Sequence, residues 1–248
     1  MGLSWLSQGM GDAPADDAWL SPREAAWVAR MRFPKRRSEF RLGRWTAKKA
    51  LALYLGREAS AAALCSIEID RAPDGAPAPL VDGLPAEAYV TMTDRADQAV
   101  CLVGPPGTAL GCDLELVEPR SDAFVADYLT PAEQGLVAAA GEGEARDLLA
   151  NLIWCGKESA LKVLRTGLRR DTRSVEVSFP EGPRVDGWAP MSVSAVEGTV
   201  FPGWWQSFGA FVLTLAATKP FTPPRPLVDP PGLATAEPAH SWLAPSAE

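Results

Sequence analysis

The pattern Ser/Thr-Pro-x-Glu occurs at Ser21–Glu24 and again at Thr130–Glu133. Each reads as a helix N-terminus. The hydroxyl caps early amides, proline fits the first helical position, and the glutamate reaches back to the cap. A longer stretch of helical period follows each one, and then runs of strand-like alternation. Helix-then-strands occurring twice is what two similar lobes would leave in a sequence. The expected fold class is α+β, as a pseudo-twofold pair of similar lobes. Gly104-Pro-Pro-Gly107 breaks the chain, so the lobes are expected at 1–104 and 105–218. The tail from Lys219 to Glu248 is rich in Pro and Ala and is expected to be disordered or draped on the surface.

In the first lobe, residues 1–18 carry little pattern and are expected to be irregular. The first helix should run from Ser21 to about Arg32 and bury Ala26, Trp27 and Met31. A second starts near Ser38 and stops at Gly56. Cys65–Asp70, Tyr89–Arg95 and Ala99–Val103 alternate as strands, and 72–85 reads as a loop or hairpin. In the second lobe a strand surrounds Asp113, and a long helix runs from about Ala145 to Leu164. Strands follow at Ser174–Phe179, Met191–Ala195 and Phe208–Ala217.

The long helix carries the chemistry. Trp154, Glu158, Leu161 and Lys162 share one face, with Lys157 beside it. Glu158 and Lys162 alone would also suit a solvated i, i+4 pair worth about 0.3–0.5 kcal/mol. Upstream, Asp113 and Glu115 are two apart in a strand, so both carboxylates point to one side. Alone they equally suit an exposed edge-strand face. Together with Glu158 they make a set of hard oxygen ligands suited to Mg²⁺, which takes few protein carboxylates and completes its shell with water and phosphate.

A net charge of −7 argues against a general affinity for nucleic acid or anionic membrane. No apolar run approaches the length of a membrane span, and no signal peptide is expected. Cys65, Cys101, Cys112 and Cys155 form no Cys-x-x-Cys pair, and the one histidine, His240, lies in the tail. Zinc therefore lacks a ligand set. The thiols are expected to be buried and free, in a cytoplasmic protein. Chemistry must come from carboxylates, lysines or metal.

Within this acidic chain one segment is basic: Arg30, Arg32, Lys35, Arg36, Arg37, Arg41, Arg44, Lys48 and Lys49 stand against Glu39. Such a cluster is either an anion site or a solvated helix face. Its mixture of bases and aromatics is also a nucleic-acid signal, but the patch is short and its setting acidic.

Gly111-Cys112-Asp113, followed about forty residues on by Trp154-Cys-Gly-Lys157-Glu158-Ser-Ala-Leu-Lys162, resembles the signature of the 4′-phosphopantetheinyl transferases. Length matches the longer, monomeric surfactin-synthetase type. The resemblance covers roughly residues 20–217. It implies that fold, and transfer of 4′-phosphopantetheine from coenzyme A to a serine of an acyl or peptidyl carrier protein, releasing 3′,5′-ADP. It implies Mg²⁺, with Mn²⁺ as a substitute, on Asp113, Glu115 and Glu158. Glu158 would also serve as base, directly or through water, and Lys162 would steady a phosphate oxygen with Lys157 assisting. Lys35, Arg37 and Arg44 are carried over as coenzyme A phosphate contacts. Trp154 is expected to pack the helix against the sheet, the alternative being stacking on adenine.

One position departs from that family. Its usual Ser-x-Ser-His stands here as Thr91-Met92-Thr93-Asp94. Thr93 and Asp94 would face a coenzyme A phosphate, and a carboxylate there repels it. Asp94 either turns away, adds a metal ligand, or weakens coenzyme A binding in favour of a donor with fewer phosphates. The alternative function is a weakened or inactive homologue that binds coenzyme A or a carrier protein.

Overall fold

The computed structural model describes residues 2–239. The chain divides into two compact units. One takes the described residues up to Thr108 together with Pro224–Ala236, and the other takes Ala109–Pro223. Both mix helices and sheets, as an α+β chain should. His240 lies outside the described residues.

The first unit opens with strand β1 (Ser4–Gly9), in a stretch expected to be irregular. Trp5, Leu6, Ser7 and Gln8 are buried consecutively, so the strand is covered on both faces and shows no alternation. Helix α1 (Pro22–Arg30) buries Glu24 and Val28, while Ala26 is exposed and Trp27 half-buried, contrary to expectation. Helices α2 (Pro34–Tyr54) and α3 (Ala61–Leu64) follow. Gly56, at φ +66°, stands just beyond α2 where a side chain would be strained. Next come β2 (Ile67–Arg71), β3 (Pro77–Val81), β4 (Leu84–Pro85), β5 (Tyr89–Arg95) and β6 (Gln98–Gly104). β1, β6 and β5 pair antiparallel, and β2, β3 and β4 form a meander. The β5–β6 hairpin turns on Ala96 and Asp97, both at positive φ, as a two-residue turn needs. Ala47, Leu51 and Trp45 of α2 pack with Trp19, Ile67, Ile69, Val90 and Cys101 in the core.

The second unit begins with β7 (Leu110–Leu116), then α4 (Asp122–Tyr128), α5 (Pro131–Ala139) and α6 (Glu144–Val163). β8 (Val175–Ser178), β9 (Ala189–Ala195), β10 (Val200–Phe208) and β11 (Phe211–Ala217) follow. The antiparallel sheet runs β7-β11-β10-β9-β8. β10 escapes sequence reading because Pro202 and Gly203 look like breakers. Gly203 is there because a Cβ would collide with the Leu215 carbonyl of β11. Ile153, Ala160, Leu161 and Val163 of α6 pack with Val177, Met191, Val193 and Ala216.

Part of the tail returns to the first unit. β12 (Arg225–Pro226) pairs parallel with β1, and Leu233 is fully buried with its amide on Ser7 Oγ at 2.8 Å. That apolar anchor gives residues 224–236 defined structure against β1, so of the two expectations for the tail this stretch follows the draped one. Among the described residues no helix is long and apolar enough to cross a membrane. The cysteines are free, and Cys65 is exposed rather than buried.

The two capping boxes form, and each is the foot of a larger latch. In the first unit Glu24 accepts from Ser21 N at 3.0 Å, Ile69 N at 3.1 Å and Lys48 Nζ at 2.7 Å. Ser21 Oγ hydrogen-bonds Glu68 at 2.6 Å. In the second, Glu133 accepts from Thr130 N at 2.7 Å, Val177 N at 2.7 Å and Lys157 Nζ at 2.7 Å. Thr130 Oγ1 hydrogen-bonds Glu176 at 2.8 Å. Both latches join helix N-cap, long helix and strand through a buried ion pair.

Candidate active site

Gly111, Asp113 and Glu115 lie on the same face of β7, and α6 is laid across that face. A Cβ at Gly111 would collide with the Ser159 carbonyl oxygen and come within 3.1 Å of Lys162 Cβ. The glycine is therefore what lets helix and strand meet. Ser159 Oγ bonds the Thr214 carbonyl at 3.0 Å and its hydroxyl at 2.7 Å. Cys155 Sγ donates to the Asp113 carbonyl at 3.0 Å. These contacts fix the helix register over the strand.

That register sets the acidic face. Lys162 Nζ donates to Asp113 Oδ1 and to the Cys112 carbonyl, both at 2.8 Å. Two turns back, Trp154 Nε1 donates to Glu115 Oε1 at 2.9 Å. Glu158 is one turn from each, so it falls between the two strand carboxylates. Its carboxyl is pushed up to about 7, first by burial, then by the Asp113 charge; Lys162 offsets part of this and Glu115 adds to it. Burial disfavours the Lys162 ammonium, but Asp113, the Cys112 neighbourhood and Glu158 outweigh it and hold its pKa above the ordinary value. Asp113, Glu158 and Lys162 are thus brought together.

Glu115 is held from two sides. Arg120 Nη2 donates to Oε2 at 3.0 Å, opposite the Trp154 indole. Arg120 Nε donates to Asn151 Oδ1 at 2.6 Å, and Asn151 Nδ2 donates to the Glu118 and Asp147 carbonyls, both at 2.7 Å. The Arg120 guanidinium lies 4.7 Å over the Phe124 ring, and Phe124 and Tyr128 both pack edge-on to Trp154 at 5.2 Å. Arg120, Phe124 and Tyr128 carry no motif and were not legible in the sequence. Among the described residues no group of three His, Cys, Asp or Glu side chains is gathered as a metal would gather them. Two hard carboxylates, one with its charge disfavoured by the other, nevertheless fit a divalent cation of the Mg²⁺ kind, which needs few protein ligands.

Lys157 is elsewhere. It is fully buried, paired with Glu133, and donates to the Thr172 and Val175 carbonyls. Burial lowers its pKa against the opposing Glu133 charge. It offers nothing to a phosphate on the acidic face, so the expected assisting role is replaced by a structural one.

The basic residues expected at a phosphate divide. In the first unit a cavity of about 270 Å³ is lined by Arg36, Arg44, Arg71, Glu39, Thr93 and Asp94 among others. Arg44, Thr93 and Asp94 therefore come together. Lys35 and Arg37 do not line it; Arg37 donates to the Met31 carbonyl at 2.9 Å, and helix phase puts Arg36 on the cavity instead. Arg44 is buried, 4.5 Å over Phe40, with Nη1 on Met92 Sδ at 3.5 Å. Burial pulls its pKa down to about 10 against Glu24.

Residues 109–187 match the family model described as ACPS, the 4′-phosphopantetheinyl transferase superfamily. This stretch, about a third of the chain, is similar to that superfamily. Both parts of the motif fall within the matched stretch, Gly111–Asp113 on β7 and Trp154–Lys162 on α6. The cavity of the first unit lies outside the matched stretch. Among solved structures, the Thermotoga maritima holo-[acyl-carrier-protein] synthase (AcpS) is similar at 19% identity, over 52% of this chain and 74% of that one, with a TM-score of 0.33. No curated protein matches the chain.

Proposed function

We propose that the protein transfers 4′-phosphopantetheine from coenzyme A to a serine of an acyl or peptidyl carrier protein. The observation that carries this is the convergence of Asp113, Glu158 and Lys162 on one face of the stretch similar to the superfamily. The serine oxygen forms a bond to the β-phosphorus of coenzyme A, the pyrophosphate P–O bond breaks, and 3′,5′-ADP leaves. Such a reaction needs positioning and charge neutralisation more than covalent help. Asp113 and Glu158 would hold Mg²⁺, or Mn²⁺, with Glu115 on the same face. A bound cation there would neutralise charge on the pyrophosphate. Lys162, kept protonated by Asp113, steadies a phosphate oxygen. Glu158, set beside Asp113 and Lys162, takes the serine proton, directly or through one water.

The cavity lined by Arg36, Arg44, Arg71, Thr93 and Asp94 is our candidate for an anionic group of coenzyme A. The paired latches, Glu24–Lys48 and Glu133–Lys157, support a pair of like lobes of the surfactin-synthetase type. We further propose a monomer that works in the cytoplasm. A second reading has its own support: Glu39 and Asp94 place two carboxylates on the cavity. It makes the protein a weakened or inactive binding homologue.

Mass spectrometry of an apo carrier protein incubated with the protein, coenzyme A and Mg²⁺ separates the readings. A gain of one phosphopantetheine, lost in Asp113→Ala and Glu158→Ala, supports the transferase. A carrier that keeps its mass while coenzyme A binds supports the second reading. Light scattering in solution tests the monomer.

A further inference from the structure

The geometry points to Arg120 as a positioning residue that holds Glu115 off the cation, leaving Asp113 and Glu158 as its protein carboxylates. This rests on the transferase reading of the site. Each Glu115 oxygen has a donor, Trp154 Nε1 at 2.9 Å and Arg120 Nη2 at 3.0 Å. The Glu115 and Arg120 side chains are each only 13% exposed, so the pair is poorly screened. Arg120 is itself locked. Its Nε is on Asn151, its carbonyl accepts from Arg146 Nη1 at 2.8 Å, and its guanidinium rests on Phe124. A planar fork fixed at both ends holds a carboxylate in one orientation. Freeing Glu115 for a cation would cost two charge-assisted or indole hydrogen bonds.

Charge points the same way. With Arg120 in place, three carboxylates face two bases, Lys162 and Arg120. Without it they face one. A site trimmed in this way binds a free cation weakly and fills best when phosphate oxygens complete the shell, as suits Mg²⁺. Arg120 would thereby tie metal loading to arrival of the donor.

The test is Mn²⁺ binding to the full chain without coenzyme A, followed by electron paramagnetic resonance, with a thermal melt on each variant. Glu115→Gln should leave the Mn²⁺ Kd within about threefold of wild type, since no ligand is lost. Arg120→Gln should tighten Mn²⁺ by about fivefold or more as Glu115 is released, and adding Glu115→Gln should remove that gain. Arg120→Lys keeps a charge beside Glu115 and should bind Mn²⁺ like wild type. Weakening by more than about tenfold in Glu115→Gln would make Glu115 a ligand and overturn the proposal. Arg120→Gln that melts like wild type but binds no tighter overturns it as well. Wild type that holds no Mn²⁺, with or without coenzyme A, brings down the transferase reading itself, which is a different outcome.

Discussion

Lys157 Nζ lies 2.7 Å from Glu133 Oε2, and neither side chain is exposed. The glutamate is the third residue of a helix cap, and the lysine comes from the middle of α6. Lys48 and Glu24 repeat the relationship at 2.7 Å in the first unit. A capping box is ordinarily a local device. Here each carries a strand amide and a buried ammonium as well, so one carboxylate ties three elements together.

Breaking either pair from one side should be costly. Lys157→Met leaves Glu133 buried without its cation, and the expected loss is about 3–5 kcal/mol in urea unfolding. The KM for coenzyme A, in protein that remains folded, should not move. A KM that rises at unchanged stability would return Lys157 to the phosphate.

Gly111→Ala adds one methyl where the Ser159 carbonyl stands. Backbone cannot rotate aside as a side chain does, so α6 must shift, at a cost of about 1–3 kcal/mol. The shift also separates Lys162 from Asp113 and Glu158 from both strand carboxylates. Expected together are a lowered Tm and a drop in kcat larger than that caused by removing an equal amount of stability elsewhere. Unchanged kcat would show that the glycine serves packing alone.

Local chemistry explains what could be read ahead of the structure. Ser21–Glu24 and Thr130–Glu133 announce their helices because the cap partners lie within four residues. Asp113 and Glu115 share a face because strand period fixes it. What failed was long-range. Lys157 sits beside Glu158 in the motif and reads as a second phosphate base; only burial against Glu133 shows otherwise. β1 lacks alternation because both its faces are covered, and Arg120 lies beyond the end of β7 with nothing local to say that it returns to Glu115. Arg36 rather than Arg37 reaches the cavity, a matter of helix phase that a run of consecutive bases hides.

The Glu158 carboxyl sets a pH dependence. Its pKa in the fold is about 7 against an ordinary 4.5, from burial first and Asp113 second. A raised folded value means the native state holds the proton more tightly than the unfolded chain. The stabilisation is full below about 4.5 and fades as pH rises through about 7. Without divalent metal, stability should fall by ~1–3 kcal/mol across that window, and Glu158→Gln should flatten the slope. Mg²⁺ should raise Tm more at pH 8 than at pH 5, because the ionised carboxylate is what it binds. A metal-free stability that rises between pH 5 and 8, with the same rise in Glu158→Gln, would contradict this.

Asp94 gives the last expectation. It lines the cavity with Arg36, Arg44 and Arg71, where Glu39 already supplies one negative charge. A phosphate entering that space meets three guanidinium groups and two carboxylates, so its net attraction is small compared with a purely basic pocket. Replacing Asp94 removes one of the two repulsions without touching Asp113, Glu158 or Lys162. Asp94 is exposed, which lets solvent screen much of its charge. Asp94→His should therefore lower the KM for coenzyme A by about fivefold and leave kcat near its starting value. The gain should shrink as salt is raised, because it is electrostatic, and it should be smaller for a donor lacking the 3′-phosphate if that group is the one in the cavity. An unchanged KM at low salt would mean that no phosphate of the donor comes near residue 94.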